Sequence, residues 1–153
     1  MSAQLQEFQP ISVLGVDDDI TVLDMLRTYF ERKPEFSVFT CATPSEALDL
    51  ISKYQFDAVI AEYAMPGMDG ITFLGEIRAQ NDPLLFITLT GCHPAQAAID
   101  SLSAGGNYYL QKGVDVLFAI QKVEHYIRTT IYNRRLTQTV PGSDNQYRSL
   151  AEQ

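Results

Sequence analysis

The chain has 153 residues, 46% of them hydrophobic and 20% charged, the size and balance of one compact domain with a short appendage. Its 11 Lys+Arg against 19 Asp+Glu leave a formal net charge of −8, which argues against nucleic acid, held mainly by cationic contacts to phosphate, and for cations or basic protein surfaces as partners. No apolar run approaches the roughly 18 residues of a membrane span, and the opening MSAQLQEFQP lacks the cationic and apolar regions of a secretory leader, so a cytoplasmic chain is expected.

In chain order, ISVLGV (11 to 16) is a short apolar run halted by three aspartates, the pattern of a buried strand. From Ile20 the period becomes helical, with Val22, Leu26, Tyr29 and Phe30 on one face, until Pro34 ends it. FSVFT (36 to 40) is a second strand, and Thr43-Pro44-Ser45-Glu46 is a capping box with proline at the first helical position, ahead of Ala47, Leu48 and Ile51. DAVIA (57 to 61) is a third strand; after a proline turn, Asp69 can cap a helix carrying Ile71, Leu74 and Ile77.

LLFITLT (84 to 90) is the fourth strand, and PAQAAIDSLSAGG (94 to 106) reads as a helix started by Pro94 and stopped by a glycine pair. YYL (108 to 110) is a short fifth strand. Val116, Ile120, Val123, Ile127 and Ile131 then mark a long amphipathic last helix. Cys41 and Cys92 show neither CxxC nor metal-ligand spacing and read as small core residues.

Five strands alternating with five helices imply an α/β domain whose parallel sheet is covered on both faces. Ligands in such sheets gather at the carboxyl ends of the strands. There the sequence puts Asp17, Asp18 and Asp19 after the first strand, Glu62 after the third, Thr90 at the end of the fourth and Lys112 after the fifth. Carboxylates, a hydroxyl and an ammonium on one rim suit a hard divalent cation such as Mg²⁺ together with a phosphoryl group, and a strand-end carboxylate can act as nucleophile.

These pieces, VLGVDDD, FDAVIAEYAMPGMDG, FITLTG and YYLQKG, resemble in order and spacing the receiver domain of two-component response regulators and hybrid sensory histidine kinases. The resemblance implies a (βα)5 doubly wound, flavodoxin-like (CheY-like) three-layer sandwich with sheet order 2-1-3-4-5. It implies a non-enzymatic signalling domain of the phosphorelay type over residues 10–133, with 1–9 as an N-terminal extension and 134–153 as a linker or tail. It implies Asp17 and Asp18 as the metal-binding acidic pair, completed by Glu62 and the Ala64 backbone carbonyl. Glu62 falls at the phosphoacceptor position, Thr90 and Lys112 as the groups that contact the phosphoryl oxygens, and Thr90 with Tyr109 as the switch pair. The cofactor implied is Mg²⁺, and the partners are a histidine kinase or an adjoining sensor or output domain, with a homodimer through the fourth helix, fifth strand and fifth helix.

Two positions depart from the family pattern. Gly113 stands where proline usually follows the lysine, and YLQKG in this form resembles receivers attached to sensory kinases. Glu62 stands where the family has aspartate. Glutamate is longer by about 1.5 Å, and a misplacement of about 1 Å can cost on the order of a hundredfold in a positioned reaction. The expectation is a receiver that does not take phosphate normally and rests partly in the active-like state. The final NQYRSLAEQ resembles the opening of a PAS sensory domain. Two other readings are a vestigial pseudo-receiver serving as an interaction module and, more remotely, a haloacid dehalogenase-like phosphatase with Asp17 as nucleophile and Asp19 as acid/base.

Overall fold

The computed structural model describes residues 9–80, 83–91 and 95–139. Residues 1–8, Cys92, Pro94 and the PAS-like stretch lie outside the described residues. The elements alternate as β1 (Ile11–Val16), α1 (Ile20–Glu31), β2 (Phe36–Cys41), α2 (Pro44–Lys53), β3 (Ala58–Ala61), α3 (Gly70–Gln80), β4 (Leu85–Thr90), α4 (Ala95–Ser103), β5 (Tyr108–Gln111) and α5 (Val116–Thr139). All strand pairs are parallel, in the order β2-β1-β3-β4-β5, so the expected three-layer sandwich is the fold observed.

Alternation along the strands splits the core into two layers. Ile11, Val13, Ala58, Ile60, Leu85, Ile87 and Leu89 pack against Leu26 and Phe30 of α1 and Ile120, Val123, Ile127 and Ile131 of α5. On the other face Leu14, Val16, Val59, Ala61 and Phe86 meet Ala47 and Ile51 of α2 and Phe73, Leu74 and Ile77 of α3. Each fully buried aliphatic or aromatic side chain contributes about 1.5–3 kcal/mol of transfer free energy. α4 is seated differently: its buried residues are the small Ala97 and Ser101, and the Ser101 hydroxyl pairs with that of Thr88 at 3.0 Å.

Local chemistry ends the helices where the sequence says it should. Asp19 Oδ1 accepts from the Thr21 amide at 2.9 Å, Thr43 Oγ1 from Glu46 at 3.1 Å and Asp69 Oδ1 from Thr72 at 2.7 Å, each capping orphan donors of a first turn. α4 ends in a Schellman motif, with Gly106 N–H donating to Ser101 O and Gly105 N–H to Leu102 O. Gly105 lies at φ 104, a conformation open to glycine.

The last helix departs from the expected boundary. It runs to Thr139, past residue 133, where the sequence turns polar. Two arginines hold the extra turns against the amino-terminal edge of the sheet. Arg134 donates to Pro83 O, and Arg135 donates to Gln9 O at 2.7 Å and Pro10 O at 3.3 Å and pairs with Asp57 at 3.5 Å.

Candidate functional site

Parallel register brings the strand ends together: Val16 lies beside Ala61, Ala61 beside Thr88, and Thr90 beside Gln111. Asp17, Glu62, Thr90 and Lys112 therefore share the carboxyl edge of the sheet. Asp17, Glu62 and Thr90 are buried, Thr90 completely.

Lys112 is the hub of this cluster. Its Nζ lies 2.9 Å from Asp17 Oδ2 and 3.1 Å from Glu62 Oε1, with side chains only 13%, 4% and 10% exposed for Lys112, Asp17 and Glu62. The remaining carboxylate oxygens are met by backbone: Asp17 Oδ1 accepts from the Asp19 amide at 2.8 Å. Glu62 Oε2 accepts from the Tyr63 amide and from the Ala64 amide at 3.3 Å. The glutamate thus folds back over its own loop. That loop is held down by Gly70, whose amide donates to Tyr63 O at 2.7 Å; a Cβ there would come within 2.9 Å of Tyr63 Cα.

Protonation follows from these contacts. Burial drives the Asp17 carboxyl above its ordinary value, against the pull of Lys112 and the Asp19 amide. At Glu62 burial acts in the same direction but is outweighed by the Thr90 hydroxyl, Lys112 and the Ala64 amide, so its carboxyl titrates below the usual range. Burial lowers Lys112, yet Asp17 and Glu62 together carry it above the ordinary lysine value. The Thr90 hydroxyl faces Glu62 closely enough to favour the ionised carboxylate, although among the described residues it forms no hydrogen bond within ordinary distance and angle limits.

The other expected residues fall in different places. Asp18 is exposed. Among the described residues no group of three or more His, Cys, Asp and Glu side chains could hold a metal, so the expected set of Asp17, Asp18 and Glu62 is not assembled as one carboxylate cluster. Mg²⁺ needs only one or two carboxylates and keeps several waters. Asp17, Asp18 and the carbonyl of the exposed Ala64 are of the hard oxygen type that would hold it. Asp19 is exposed and caps α1. Tyr109 sits in register with Thr88, on the face of β4 that carries Thr90. Gly113 takes φ 67, and the described residues contain no cis peptide. The sequence reading missed the Tyr63 and Ala64 amides as donors to Glu62; backbone donors leave no mark on residue type, and the signal was the length of the glutamate itself.

Residues 13–124 match the family model described as the response regulator receiver domain. The response regulator MprA of Mycobacterium sp. (strain KMS) is 31% identical over 121 residues, covering 79% of this chain and 52% of that protein. An uncharacterized 14.6 kDa protein of Leptolyngbya boryana is 33% identical over 125 residues, 80% of this chain and 94% of its own length. The Francisella response regulator 1452 receiver domain superposes with a TM-score of 0.69 at 29% identity, over 80% of this chain and 99% of that one. A CheY-like receiver from Methanospirillum hungatei JF-1 shares the fold at 24% identity, with a TM-score of 0.73 over 82% of this chain and 99% of its own. The chain spans about half the length of the first curated relatives it matches.

Proposed function

Since this chain belongs to the response regulator receiver domain family, we propose that it is a receiver whose phosphoryl pocket is filled from within by Glu62. The observation that carries the reading is the set of donors on one carboxylate: Lys112 on Oε1 and the Tyr63 and Ala64 amides on Oε2, beside the buried Thr90 hydroxyl. Oriented amides, an ammonium and a hydroxyl are the donors an incoming phosphoryl group needs. Glu62 supplies a single negative charge there, against about −1.5 to −2 for a phosphoryl group, so the imitation is partial.

Charge balance points the same way. Asp17 and Glu62 together outweigh the single positive charge of Lys112, and a phosphodonor must approach that excess and displace Glu62 from its donors. The longer side chain also moves the nucleophilic oxygen by about 1.5 Å, enough to cost on the order of a hundredfold in an in-line attack. Bound Mg²⁺ would supply positive charge at the Asp17, Asp18 and Ala64 oxygens; the chain's own part is to hold those oxygens and keep Lys112 ionised between its carboxylates.

In this reading the domain is a non-enzymatic signalling module regulating a histidine kinase or an adjoining sensor or output domain. A vestigial pseudo-receiver is the second reading, favoured by Ile99, Leu102 and Phe118 at 55%, 47% and 56% exposure on α4 and α5. These would serve as a partner or homodimer face. Magnesium titration followed by amide shifts at Asp17, Asp18 and Thr90 separates the two, because a vestigial pocket gives no change at millimolar Mg²⁺. The main test incubates the chain and Glu62→Asp with a small-molecule phosphodonor and Mg²⁺. Phosphorylation of the aspartate variant alone supports the proposal; stable phosphorylation of Glu62 at the variant's rate ends it.

A further inference from the structure

We infer that β2 is a pairing edge for a second copy of this chain, joined antiparallel about Val38 into one continuous ten-stranded sheet. β2 is the outermost strand on its side. Ile11 N–H donates to Glu35 O at one end of its ladder with β1, and Asp17 N–H donates to Cys41 O at the other. In a parallel ladder this alternation turns the backbone of residues 35, 37, 39 and 41 toward β1 and that of Phe36, Val38 and Thr40 outward. Phe36 N–H is already used, donating to Lys33 O at 3.1 Å. Among the described residues the open groups are then the amides of Val38 and Thr40 and the carbonyls of Phe36, Val38 and Thr40.

That set is self-complementary under a two-fold axis through Val38. Val38 N–H donates to Val38 O of the second copy and the reverse, and each Thr40 N–H donates to Phe36 O across the axis. Every open amide finds a carbonyl, and the one amide without a place, that of Phe36, is the one already bonded. The side chains agree in size: the same register sets Phe39, 45% exposed, across from the small Ser37 of the second copy. Each Phe39 brings with it Tyr54, stacked at 6.5 Å and 58% exposed.

The strand's own side chains leave the axis open to a copy. Folded proteins guard such edges with lysine, proline, bulges or inward charges, and FSVFTC from Phe36 to Cys41 has none of the charges or prolines. The strand itself sets no charge at the axis; the nearest charged groups, Arg27 on Thr40 Oγ1 at 2.6 Å and Arg128 over Phe36, paired with Glu35 at 3.6 Å, stand two residues to either side of Val38. One strand edge buries less than a standard interface, so the association is weak, in the range of about 10 µM to 1 mM.

Sedimentation of the whole chain across that concentration range tests the proposal, with two variants. Val38→Pro removes an outward amide that an edge strand can spare, and Phe39→Lys places like charges beside the axis while leaving every backbone group intact. The wild type is expected to shift from 17.1 kDa toward twice that mass. Each variant should weaken association by about tenfold or more with unchanged far-UV circular dichroism. Amide exchange at Val38 and Thr40 should slow as wild-type concentration rises. A wild type monomeric throughout, a dimer that survives Phe39→Lys, or a dimer lost instead in Leu102→Glu on α4 overturns the assignment.

Discussion

Replacing Lys112 by methionine isolates the electrostatics of the pocket. Both carboxylates touch the same ammonium, at 2.9 Å and 3.1 Å, so their oxygens lie within about 6 Å of each other, where two like charges repel by about 3 kcal/mol at an effective dielectric constant near 20. Methionine keeps most of the side-chain volume, so packing loss is small. The cost is that of stranding nearly buried charges, about 3 kcal/mol in unfolding free energy after relaxation, or a fall of about 10 °C in Tm for a domain of this size.

The pH dependence identifies the cause. Without Lys112, burial and mutual repulsion raise both carboxyl groups above their unfolded values, and a raised folded pKa gives stability that is present at low pH and lost as pH rises. The deficit of Lys112→Met relative to wild type should therefore be largest near pH 8 and shrink toward pH 5, as one carboxyl takes a proton. Urea unfolding at both pH values measures it, and Asp17→Asn added to Lys112→Met should recover much of the loss. A deficit under about 1 kcal/mol, or one equal at pH 5 and pH 8, refutes the reasoning.

Three other outcomes are expected. Gly70→Ala brings a Cβ to 2.9 Å from Tyr63 Cα and 3.2 Å from Glu62 O and should cost about 2 kcal/mol in urea unfolding, whereas Gly75→Ala in the same helix, with nothing within 4 Å, should stabilise by roughly 0.5–1 kcal/mol. Burial and then Glu124 push the Tyr29 hydroxyl up to about 12, so absorbance at the tyrosinate band should show a late step that Tyr29→Phe removes. The associated stability is full below pH 10 and lost as pH rises toward 12; an unchanged titration in Tyr29→Phe contradicts it. Arg135→Ala removes bonds to Gln9, Pro10 and Asp57 and should speed amide exchange over the last turns of α5 while costing only about 1 kcal/mol globally, its ion pair being partly solvated.

What could be read in advance was what local chemistry writes into residue type. Apolar runs marked β1 to β5, and Thr43, Asp69 and the Gly105-Gly106 pair marked helix ends, because caps and left-handed turns demand those side chains within a few residues. The strand-end placement of Asp17, Glu62, Thr90 and Lys112 followed once the sheet was taken as parallel. The end of α5 did not: Arg134 and Arg135 look like a solvated polar tail, and their partners, Pro83, Gln9 and Asp57, are distant in sequence. Nor did the exposure of Asp18 or the titration of Asp17, for each depends on how far one carboxylate is from water and from Lys112. The edge pairing of β2 needed the ladder register, which no residue type announces.

The length of Glu62 ties these observations together. Were it simply an acid paired with Lys112, one oxygen would face the ammonium and the other would face water. Instead Oε2 turns back to the Tyr63 and Ala64 amides, a path that the added methylene opens. These bonds are charge-assisted and lie in a largely dry pocket, where each is stronger than a neutral bond in water. A phosphodonor competes with that arrangement for the same donors, and it does so against the charge of the carboxylate it must displace. Glu62→Gln sharpens the distinction: the amide keeps the length and still accepts from the backbone but gives up the charge. If charge near Thr90 and Lys112 sets the resting state, Glu62→Gln should shift the Thr90 and Tyr109 resonances, whereas if reach alone matters those resonances should stay with wild type.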